Sequence, residues 1–117
     1  MNQFFENNVA AKEVTPITVR ATAGGDTTVI AAPGAGKRLR IYSASLSQQG
    51  TAAADASLKV SGSDIFKARL SNDGRQTFWG DGRSYYTLPE NIALVANITD
   101  QASDSFDINV NYTLETV

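Results

Sequence analysis

Hydrophobic residues recur at every second position through most of this chain. The cleanest run is 106–114. There Phe106, Ile108, Val110, Tyr112 and Leu114 share one parity, and Asp107, Asn109, Asn111 and Thr113 share the other. Strict period two marks a half-buried antiparallel strand, so the five apolar side chains are expected to face a core. The same alternation, less regular, predicts strands over 14–23, 27–32, 56–61, 65–70, 76–79, 83–88 and 92–100. The central strand, 37–47, is longer and holds two parities: Leu39 and Ile41 in one, Tyr42, Ala44 and Leu46 in the other. A switch near Ile41 and Tyr42 predicts either a β-bulge or a strand buried on both faces.

Turn signals separate these runs. Gly24-Gly25-Asp26, Pro33-Gly34-Ala35-Gly36, Ser61-Gly62-Ser63-Asp64, Ser71-Asn72-Asp73-Gly74, Gly80-Asp81-Gly82 and Pro89-Glu90-Asn91 all use residues that reverse a chain at low steric cost. The stretch 48–55 reads as a loop, with at most a short helix over 51–56. Pro16 lacks a ladder donor and puts the first strand at a sheet edge. Eight or nine short strands without a helix of useful length mean an all-β sandwich or barrel. An antiparallel jelly-roll-like sandwich suits the count. An immunoglobulin-like sandwich comes second, because its Cys…Trp…Cys signature is missing.

Composition narrows the function. The 117 residues make one domain, read as a flexible arm over 1–13 followed by the β-domain over 14–117. Ten basic and twelve acidic side chains give a net charge of −2. A protein that tracks phosphates needs clustered positive charge, so nucleic acid is not the expected partner. No run approaches the ~18 apolar residues of a membrane helix, so no membrane partner is expected either. Histidine and cysteine are both absent, which removes Ser-His-Asp, Cys-His and zinc-ribbon chemistry. The expectation is a non-enzyme with no cofactor and no metal.

Several motifs invite sharper readings. The segment 31–38 resembles the phosphate-binding P-loop, G-x-x-x-x-G-K-[ST]. Ala31 stands where the first glycine belongs, Arg38 replaces the hydroxyl residue, and a β-type run succeeds it instead of a helix. The phosphate site needs a helix N-terminus, so this is a tight turn. Asp100, Asp104 and Asp107 form a sparse acidic stretch that lacks the dense oxygen spacing of a calcium loop. Trp79, Tyr85 and Tyr86 would suit either core packing or a sugar-stacking platform. Asp73-Gly74-Arg75 and Asp81-Gly82-Arg83 flank Phe78 and Trp79 as two turns. Arg and Trp are favoured interface anchors, so Arg75, Trp79 and Arg83 are candidate partner contacts, together with Phe4 and Phe5 of the arm.

With those residues laid out, the chain resembles the small jelly-roll virion proteins of tailed bacteriophages, of the head-decoration or cement type. The resemblance lies in three stretches: 29–36 leading into 37–47, the late strand 92–98, and the closing strand 106–115. It implies a homotrimer, made in the host cytoplasm, that binds a major capsid protein on the outer surface of the head and stabilises the shell. The alternative is a receptor- or carbohydrate-binding virion module such as a fibre or tail tip. No catalytic residue comes with the resemblance.

Overall fold

The computed structural model describes residues 14–22, 24–49, 54–70, 74–78, 86–99 and 105–117. Nine strands run through them: β1 Thr15–Ala21, β2 Gly25–Ile30, β3 Lys37–Gln49, β4 Ala54–Val60, β5 Ser63–Leu70, β6 Arg75–Phe78, β7 Tyr86–Thr87, β8 Leu94–Thr99 and β9 Ser105–Thr116.

The pairing is nested and antiparallel. β1 pairs with β9, β2 with β8, β3 with β6 and β7, and β4 with β5. This is one long hairpin with the β4–β5 turn at its tip. Further pairing of β9 with β3 and of β8 with β4 curls the hairpin into two sheets, β1-β9-β3-β6 with β7 also on β3, and β2-β8-β4-β5. Four strands in each layer, with β6 and β7 acting as one interrupted strand, give the jelly roll the periodicity predicted. At the tip, Ser61 and Gly62 both take positive φ (52° and 81°). They form the two-residue loop between Val60 and Ser63, which are paired. Positive φ at both positions is the turn whose twist matches that of the flanking strands. β1 lies at a sheet edge, where Pro16 is tolerated.

Bulges reconcile the sequence parity with a single core. In β3 the register against β9 shifts between Ile41 and Ser43, so Tyr42 is the extra residue. Leu39 and Ile41 before it, and Ala44 and Leu46 after it, are all buried. Of the two arrangements compatible with the sequence, the bulge is the one adopted. Ile65 in β5 and Val29 in β2 are extra in the same way. The core is filled from both layers, by Leu39, Ile41, Leu46, Phe106, Ile108 and Val110 on one side and Leu58, Leu94, Ala96 and Ile98 on the other. Each large side chain so buried contributes roughly 1.5–3 kcal/mol.

Four expectations are corrected. Leu114 is not buried in the core: it is 57% exposed, while Tyr112 packs against the core only partly buried. β1 starts opposite Tyr112, so among the described residues Leu114 has a ladder neighbour on one side only. Its partner there, Leu39, is flanked by the segment after β7, where the Leu88 N–H donates to the Leu39 carbonyl at 2.9 Å. Residues 54–56 belong to β4 and not to a short helix, whereas 51–53 lie outside the described residues. Gly25 and Asp26 are already in β2, and Ser63 and Asp64 in β5, which leaves only Ser61 and Gly62 between β4 and β5. Gln48 lies within β3, which runs on to Gln49, instead of opening a loop, and it is buried. Its Nε2 donates to the Leu70 carbonyl at 2.7 Å, which ties the end of β3 to the end of β5.

Candidate functional site

The glycine turn ahead of β3 is a cradle of backbone amides, and the chain fills it with its own side chains. Gly34 and Gly36 take φ of 107° and 81°, conformations that glycine adopts without strain. The Gly34 N–H donates to Asn91 Oδ1 at 2.8 Å, and the Gly36 N–H donates to Glu90 Oε2 at 2.6 Å. Lys37 then opens a strand, not a helix. Among the described residues no helix dipole is aimed at the turn, and the Asn91 amide oxygen and the Glu90 carboxylate already occupy the two amides an incoming phosphate would need. Calorimetry with ATP is expected to give no micromolar binding. Such binding, lost in Lys37→Ala, would overturn this.

Much of the polar surface of the β1-β9-β3 layer is paired internally. Thr18 Oγ1 donates to Asn109 Oδ1 at 2.7 Å, and Asn111 Nδ2 donates to Ser43 Oγ at 2.7 Å. Arg20 grips Asp107 through Nε and one terminal nitrogen at 2.8 and 3.1 Å. That hydrogen bonding, more than the charge, holds the Asp107 carboxyl below its ordinary value. Asp107 is thus engaged by an arginine, while Asp100 and Asp104 lie outside the described residues. At the far end of the layer, Glu115 sits between two arginines, with Arg38 and Arg40 nitrogens 2.8 and 2.7 Å from its oxygens. Burial alone would push the Glu115 carboxyl up, but the hydrogen bonds and charges of the two guanidiniums outweigh it and hold the carboxyl down.

The opposite layer differs. Its outer face carries a groove of about 490 Å³ lined by Asp55, Ser57, Lys59, Asp64, Lys67, Arg69 and Asn97, with Ala56 and Ala68 between them. Strand register places these groups. Ser57 is paired with Lys67 on one side and Asn97 on the other, Asp55 is paired with Arg69, and Lys59 with Asp64. Cross-strand partners project to the same face, so β4 and β5 send several polar side chains, and β8 sends Asn97, into one concavity. Ser57, 8% exposed, forms the floor. Arg69 and Asp55 form an ion pair at 2.7 Å, and Lys67 approaches Asp64 at 3.9 Å. The Lys59 ammonium has no ion-pair partner among the described residues.

Of the five candidate contacts from the sequence, only Arg75 lies among the described residues. It is exposed at the start of β6, paired with Ser47 on the layer away from the groove. Phe4, Phe5, Trp79 and Arg83 lie outside the described residues, as do most of the arm-and-turn positions around them. Tyr86 is partly buried and packs against the core. Tyr85 lies outside the described residues. The groove residues form no motif in the sequence, although Asp55, Ser57 and Lys59 alternate with the inward Ala56, Leu58 and Val60. That alternation was the available signal. What it lacked was the knowledge that β5 and β8 flank β4.

No protein-family model and no curated protein matches the chain. Solved structures do. A chain in an acid-stable capsid structure of the Helicobacter pylori bacteriophage KHP30 superposes with a TM-score of 0.63 at 16% identity, over 89% of this chain and 92% of that one. A chain of the Bacillus endospore appendages, a family of disulfide-linked pili, superposes with a TM-score of 0.50 at 16% identity, over 86% and 87%. Both likenesses are of fold, spanning nearly the whole of each chain.

Proposed function

We infer that this protein is a structural virion component that binds the outer surface of a phage capsid and stabilises the shell. The observation that carries the reading is the near end-to-end likeness of the jelly roll to a chain of a phage capsid structure. Both similar structures come from assemblies of many chains, as suits a protein whose work is attachment. The described polar networks of the β1-β9-β3 layer are used internally, and the glycine turn is filled by Glu90 and Asn91. On this reading the partner is the major capsid protein and the unit is a homotrimer. Closed symmetric assembly also covers sheet edges such as β1 and β5.

The test mixes the purified chain with phage heads assembled in its absence. Co-sedimentation with the heads, and heads that survive heating better once coated, are the expected results. Analytical ultracentrifugation is expected to give three 12.5 kDa chains per particle. A monomer that leaves heads uncoated would overturn the reading. A protein that ignores heads but saturates on immobilised glycans would support the receptor-binding alternative instead. Deleting residues 1–13 asks whether Phe4 and Phe5 contribute, and weaker head binding is expected.

A further inference from the structure

We propose that the groove on the outer face of the β2-β8-β4-β5 layer receives a short, extended, carboxylate-bearing segment of a partner protein. Its volume, about 490 Å³, is that of a site for a small ligand or a few residues of chain. Three cations, Lys59, Lys67 and Arg69, face two carboxylates, Asp55 and Asp64. Both carboxylates already have a cation beside them. The groove therefore carries one positive charge in excess, on a chain whose net charge is −2. Lys59 supplies the excess, and Ser57 on the floor offers a hydroxyl to a backbone amide or carbonyl.

The same charges argue against a nucleic-acid strand. A phosphate at every unit would meet Asp55 and Asp64 as often as the lysines. Beyond Asn97 it would meet Asp26, whose carboxylate accepts from Asn97 Nδ2 at 2.6 Å. A peptide avoids this by setting one carboxylate against Lys59 and neutral polar groups elsewhere. Complementary charge of this kind selects the partner more than it adds affinity.

The probe is a fluorescein-labelled eight-residue peptide alternating glycine and aspartate, followed by anisotropy at low salt. Saturable binding that weakens as salt is raised is expected. Lys59→Gln should weaken it by about three- to fivefold, as for one exposed ion pair, and Lys59→Gln with Lys67→Gln by more. Arg75→Gln, on the other layer, should leave it unchanged. Both groove lysines reach solvent, and an unaltered thermal melt confirms that the variants fold. Equal binding of the asparagine version of the peptide, no saturable binding, or no effect of Lys59→Gln would overturn the proposal. So would a single-stranded octanucleotide that binds more tightly than the peptide. The probe contains no capsid component, so this result stands apart from head attachment.

Discussion

Phe106→Ala is expected to destabilise the protein by about 3–5 kcal/mol, and Leu114→Ala by less than about 1. The two residues share one strand and one parity, and in the sequence they look equivalent. In the fold, Phe106 is fully buried, inward-facing in a strand held between β1 and β3. Removing its ring loses the transfer energy and leaves a cavity that the two flanking ladders keep open. Leu114 stands mostly in water already, so truncation removes little buried surface. Domains of this size have about 5–15 kcal/mol in total. The Phe106 variant should therefore unfold at much lower urea, while the Leu114 variant tracks wild type. Equal shifts in the urea midpoint would mean that β9 buries both ends alike.

Glu115 carries the second large effect. Its side chain is 17% exposed, and those of Arg40 and Arg38 are 20% and 35% exposed. This lies between an open surface pair, worth under about 1 kcal/mol, and a buried one, where removing a partner costs about 3–5. Glu115→Ala is expected to cost about 1–3 kcal/mol, because it removes the carboxylate that both guanidiniums share. The same contacts predict acid sensitivity. The folded-state carboxyls of Glu115 and Asp107 lie below their ordinary values of 4.5 and 3.8. A depressed acid contributes stability that is complete above its unfolded value and is lost as the pH falls through the folded one. Stability should be level near neutrality and decline below about pH 4.5. Chemical denaturation at pH 7 and at pH 3 checks this. A Glu115→Gln variant should show a shallower acid decline, and one as steep as wild type would remove Glu115 from the account.

Alternation alone was enough to place nearly every strand, because a strand with one wet face must repeat with period two. The two parities of 37–47 left open a bulge near Tyr42 or a strand buried on both faces, and the register against β9 decided for the bulge. The same residues excluded a P-loop, because the run after Lys37 alternates as a strand. Tertiary structure decided the rest. Leu114 repeats in phase with Phe106, but exposure depends on which strands lie alongside, and among the described residues β1 pairs no further than Tyr112. Glu115 gains its partners from β3, some 75 residues away along the chain. The groove has the same origin. Asp55, Lys59, Lys67 and Asn97 are ordinary outward residues of three separate strands, and only the nested pairing of β4 with β5 and β8 sets them side by side. Period two is a local property of each strand and survives in the sequence. Strand order is set by how two layers close over a shared core, and no single stretch of chain records it.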